Sequence, residues 1–138
     1  MERHLKDASS ADPAQGAHAA AFVALALDHA YQAFESMLVR VEQGLGLSPR
    51  TGSTWHREIL ADAATSIAAL RPAIVPLAAL ASWEALLAFR HFLRHAYSVE
   101  LDAARLRQAT AQLCRAVEAT APSVASLLGA LEAAGDTA

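Results

Sequence analysis

Apolar residues recur at helical spacing along most of this chain, and no stretch alternates as a strand would. From about Ala17, the residues Phe22, Ala26, Ala30, Phe34, Met37 and Val41 follow at steps of three and four, which predicts one long amphipathic helix. Gly44, Gly46, Ser48 and Pro49 end it and open a loop to Gly52. Ser53 or Thr54 caps a second helix, whose stripe carries Trp55, Ile59, Ala63, Ile67 and Leu70. Pro72 and Pro76 bracket a turn and start a third helix, running from Leu77 to Tyr97. Asp102 caps a fourth, with Leu106, Ala109, Leu113 and Val117 on its stripe, and Pro122 breaks it. A short last helix runs from Ser123 to about Ala133 and stops at Gly135. Residues 1–16 are polar and aperiodic and form a flexible N-terminal arm, leaving 17–138 as a single helical domain. The expected fold is all-α: an antiparallel up-and-down bundle of four main helices plus a short C-terminal helix.

The third helix carries the chemistry. Phe89-Arg90-His91-Phe92-Leu93-Arg94-His95-Ala96-Tyr97 places two guanidiniums, two imidazoles and a phenol in nine residues without a carboxylate. Such a cluster calls for an anion. At about 100° per residue, with Arg90 at zero, Arg94 falls near 40°, His91 near 100°, His95 near 140° and Tyr97 near −20°. Phe89, Phe92, Leu93, Ala96 and Val99 fall on the other arc, so the expectation is a buried apolar face and a polar face turned to a groove or partner.

Arg90, His95 and Tyr97 form an R-x4-H-x-Y pattern inside the longer phrase FRHFLRHAYSVELD, from Phe89 to Asp102. With the segment Ser53 to Leu60 (STWHREIL) and the Arg71-Pro72 step, the chain over roughly residues 20 to 120 resembles the HepT toxins of HEPN/nucleotidyltransferase toxin–antitoxin pairs. The resemblance implies a small helical endoribonuclease, the toxin of a type II toxin–antitoxin system, that cleaves RNA without a metal or cofactor. It implies Arg90 as electrostatic stabiliser and His95 as general base or acid; His91 and Arg94, beside them on the helix, are expected to bind the RNA phosphate. His91 stands where this family often has Asn. The family's homodimers set two motifs across a cleft, which answers a geometric difficulty: Arg90 and His95 lie about 140° apart on their helix and cannot aim at one phosphate from one face. A minimal nucleotidyltransferase antitoxin is implied as partner, and Tyr97 is implied as the residue to which it transfers AMP, where added negative charge pairs with the arginines.

The chemistry suits these residue types. An imidazole can take the proton of a ribose 2′-hydroxyl and return one to the leaving oxygen, and a guanidinium stabilises charge on the phosphorane. DNA lacks that hydroxyl, so RNA is the expected substrate and DNA is not. A net charge of −3 argues against general charge-driven nucleic-acid binding, leaving the recognition local. His91 and His95 also have the spacing of a helical metal pair, but no third ligand stands out and the neighbouring arginines repel a cation. His56 is expected at the surface or an interface of the second helix, and Trp55, Trp83 and Phe92 in core or dimer packing.

Composition adds the compartment. The chain is 54% hydrophobic with only 6% aromatics, which predicts an interior built on Ala and Leu. Its longest apolar run, Ala19 to Leu27, is far short of the ~20 residues a membrane span requires. Glu2, Asp7 and Asp12 spoil a basic secretory leader, and Cys114 is the single cysteine. A cytoplasmic protein with no membrane contact is expected. A competing expectation is a non-catalytic HEPN subunit that binds a nucleotide or serves as scaffold or substrate for a partner nucleotidyltransferase.

Overall fold

The computed structural model describes residues 13–95 and 101–136, and among them the chain is four helices with no named strand. These are α1 (Pro13–Gly44), α2 (Trp55–Ala63), α3 (Leu77–His95) and α4 (Ala103–Asp136). They pack as one bundle in which α1 and α3 each meet all three other helices.

α1 starts at Pro13, inside the stretch expected to be an arm. Proline is favoured at the first helical position, where its missing N–H costs nothing. The helix closes with a Schellman motif: Gly46, at φ +76°, donates to the Gln43 carbonyl, and Leu47 donates to that of Glu42. The buried stripe of α1 differs from the expected one. It runs Ala20, Val23, Ala24, Leu27, Tyr31, Phe34 and Leu38, while Phe22 is 52% exposed. Alanine-rich apolar residues surround most of this helix, so spacing alone does not say which arc the other helices cover.

α2 is shorter than its apolar stripe predicts. It stops at Ala63, and Leu70 is exposed. Arg71 is the physical reason, because its buried guanidinium donates to the carbonyls of Asp62 (2.9 Å), Thr65 (3.0 Å) and Pro72 (3.0 Å). It thereby satisfies carbonyls at the helix end that would otherwise need further turns. Thr54 is the N-cap residue, though its hydroxyl donates to Glu58 rather than capping a backbone amide. Arg50 donates to Glu42 and Asp62, clamping the α1–α2 loop to both helices.

Asp102 caps α4 as expected, accepting from the Ala104 amide at 2.9 Å. The separate C-terminal helix does not exist: α4 continues through Pro122 to Asp136. Pro122 is exposed, so the helical bond its missing N–H forfeits is left on the solvent side, where the loss is small. Phe34 stacks on Trp83 with centroids 3.6 Å apart, and the Trp83 indole donates to Thr120 at 2.9 Å, joining α1, α3 and α4 at one point. Trp83 is therefore core, as expected.

Candidate functional site

The buried stripe of α3 runs Ala79, Trp83, Leu86 and Arg90 at steps of four, three and four. Its last position is a guanidinium. Burying that charge requires carboxylates, and α1 supplies them from one face, at Asp28 and Glu35, with Tyr31 between. The Arg90 Nε donates to Asp28 Oδ1 at 2.9 Å, its Nη1 to Glu35 Oε1 at 3.4 Å, and its guanidinium carbon lies 5.9 Å from the Tyr31 ring centroid. Arg90 is 8% exposed and Glu35 6%. Arg90 thus departs from the expected polar face, where it was to meet a groove beside Arg94 and the histidines. It points into the bundle.

The second oxygen of Glu35 faces α2. Glu35 Oε2 accepts from His56 Nδ1 at 2.8 Å, and the His56 ring stacks on Trp55 with centroids 3.7 Å apart. An ionised carboxylate only accepts, so Nδ1 carries the proton and a neutral His56 holds its lone pair at Nε2. His56 is not a plain surface residue. It lines a cleft of about 620 Å³ with Ser53, Thr54 and Arg57 at the start of α2 and Glu84 and His91 on α3. Another hollow of similar size, about 670 Å³ between α1 and the end of α4, has no imidazole or carboxylate among its lining residues.

His91 extends the cleft toward the end of α3. Its ring centroid lies 4.2 Å from that of His95, and His95 Nδ1 is 2.8 Å from the His91 carbonyl oxygen. A carbonyl cannot donate, so His95 Nδ1 is again the protonated nitrogen and Nε2 the available base. His91, Arg94 and His95 are exposed, as expected, and Phe89, Phe92 and Leu93 pack partly against the core. The bundle thus holds Arg90 behind the cleft, His56 and His91 in its wall, and His95 beside it. Tyr97 lies outside the described residues. Among the described residues no group of three His, Cys, Asp or Glu side chains could hold a metal ion. No helix there is long and apolar enough to cross a membrane.

Asp28, Glu35 and His56 are the residues that sequence reasoning missed. The signal was present, because Asp28, Tyr31 and Glu35 recur at three and four along α1. Carboxylates that fall on a buried stripe call for a cation opposite them.

Tyr31 reports on this cluster. Burial raises its phenol above the ordinary 10.0, the Glu35 carboxylate adds to the rise and the Arg90 guanidinium opposes it. The folded state therefore holds this proton more tightly than the unfolded chain. Tyr31 contributes stability fully below about pH 10 and loses it as pH rises beyond that. Thermal midpoints of the parent should fall more steeply from about pH 10 to about pH 12 than those of Tyr31→Phe; parallel curves would contradict this.

A family model described as "HepT-like protein" matches residues 22–131 of the chain. Neither the curated proteins nor the solved structures compared with it include a match.

Proposed function

The chain belongs to the HepT-like family, and from that membership we propose that it is a metal-independent endoribonuclease acting as the toxin of a toxin–antitoxin pair. The observation that carries this reading is the exposed His95 imidazole, whose Nδ1 is engaged by the His91 carbonyl so that Nε2 is left to move a proton. In the proposed step the 2′-hydroxyl oxygen attacks phosphorus and its proton passes to His95 Nε2. The bond from phosphorus to the 5′-oxygen breaks, and that oxygen takes up a proton. The products are a 2′,3′-cyclic phosphate and a 5′-hydroxyl.

His91 and Arg94 flank His95 and would hold the phosphate. Arg90 serves differently from a free electrostatic stabiliser. Its charge is already met by Asp28 and Glu35, so it fixes the packing of α3 on α1 and holds Glu35 in place. The pairing of Arg90 also favours a second reading, a non-catalytic HEPN subunit, because it draws one motif charge away from any substrate. A homodimer and a nucleotidyltransferase antitoxin complete the proposal.

The partner's expected chemistry gives its test. The chain expressed alone should slow growth, and incubation with a cognate nucleotidyltransferase and ATP should add AMP to the peptide containing Tyr97, as read by mass spectrometry. Tyr97→Phe should stay toxic and escape labelling. Labelling that survives Tyr97→Phe would place the modification elsewhere, and a Phe variant as harmless as one lacking His95 would make Tyr97 part of the site.

A further inference from the structure

Cleavage by 2′-hydroxyl attack moves two protons, one off the nucleophile and one onto the leaving 5′-oxygen, yet the R-x4-H-x-Y segment contributes one imidazole in the motif's His position. We propose that His56 is the second proton-transfer group of the site, a catalytic residue oriented by Glu35, which Arg90 in turn holds in position. The inference rests on the ribonuclease reading and extends it to a residue outside the motif.

Three observations carry it. His56 Nδ1 is fixed by a carboxylate oxygen at 2.8 Å, and that carboxylate is itself 6% exposed and anchored at its other oxygen by Arg90. A carboxylate placed this way selects one tautomer and ring orientation. His56 is also open to ligand: its side chain is 34% exposed and lines the cleft of about 620 Å³. Finally, His91 lines the same cleft as His56 and its ring lies 4.2 Å from the ring of His95, so His91 joins the cleft to the motif histidine. A phosphodiester seated at His91 would lie next to His95 and in the cleft that His56 lines. In the balanced step, His95 takes the proton of the 2′-hydroxyl as the O–P bond forms. The His56 imidazolium gives its Nε2 proton to the 5′-oxygen as that P–O bond breaks, and proton exchange with solvent restores both rings. Arg57 lies in the same wall and adds positive charge, while Glu84 opposes it.

Arg90 and Glu35 are then positioning residues that touch no substrate. This gives the motif arginine a role compatible with its burial.

The test is RNA cleavage by the full chain across pH, for the parent, His95→Ala, His56→Asn and Glu35→Gln, with each variant's thermal midpoint measured. His56→Asn should lower kcat by about 10²–10⁴-fold with little change in KM, lose the limb of the pH profile that reports the acid, and recover rate with added imidazole. Glu35→Gln should lower kcat by less than His56→Asn and leave KM alone, because its amide oxygen can still accept from Nδ1 and orient the ring. If the parent cleaves and His95→Ala does not, while His56→Asn matches the parent at every pH, the inference falls and the ribonuclease reading stands. A slow His56→Asn that keeps both limbs and ignores imidazole also overturns it, since that is the behaviour of a merely structural residue. A parent that cleaves no RNA overturns both.

Discussion

His95→Ala should lower RNA cleavage by about 10²–10⁴-fold, the range that a positioned acid–base group contributes, and should abolish growth arrest in cells expressing the chain. The fold should not feel the change. His95 is exposed in the last turn of α3, and its Nδ1 bonds to a carbonyl of its own helix. Surface substitutions of this kind cost within about 0.5 kcal/mol. The same denaturation midpoint with a lost activity separates chemistry from stability. Undiminished toxicity in His95→Ala would remove the imidazole from the mechanism.

Arg90→Ala is expected to behave in the opposite way. It leaves Asp28 and Glu35 as carboxylates against the core with no guanidinium between them, and breaking a buried pair by removing one partner costs about 3–5 kcal/mol. That is a large share of the ~5–15 kcal/mol that holds a domain together. Urea titration should therefore show a much earlier midpoint, with any loss of activity accompanied by loss of fold. Adding Asp28→Asn and Glu35→Gln to Arg90→Met should recover part of the stability, because no unpaired charge then remains inside. A loss under about 1 kcal/mol in Arg90→Ala would contradict the buried pairing. The two variants together separate the halves of the R-x4-H pattern, one acting on substrate and one on structure.

How much of this was legible in the sequence differs by residue, for physical reasons. The helices and their ends came from local rules: Gly46 closes α1, Asp102 caps α4 and Pro76 precedes α3, all as spacing and turn chemistry require. The exceptions involve tertiary partners. Leu70 continues the stripe of α2 in sequence, yet Arg71 reaches back for the Asp62 and Thr65 carbonyls and the chain leaves the helix. Pro122 breaks no helix because α4 packs on both sides of it, with Ala116 and Thr120 buried before it and Leu127 after.

In the site, the placement of His95 on an exposed face followed from the helical wheel, as did its separation from Arg90. That Arg90 faces inward did not follow. An arginine on an apolar stripe looks like a breach of the pattern until Asp28 and Glu35 are known to lie opposite. His56 was harder still, because its significance depends on a carboxylate 21 residues earlier. Only the packing of α2 on α1 brings them within 2.8 Å.

Attack of the 2′-hydroxyl on phosphorus is the step we propose for RNA cleavage by this chain. The most direct measurement incubates the purified chain with a defined RNA in excess EDTA and identifies the new ends by mass spectrometry and end-labelling. Cleavage that persists in EDTA and leaves 2′,3′-cyclic phosphate and 5′-hydroxyl ends is the predicted result. Intact RNA, or cleavage that needs a divalent ion and leaves 5′-phosphate and 3′-hydroxyl ends, would contradict it.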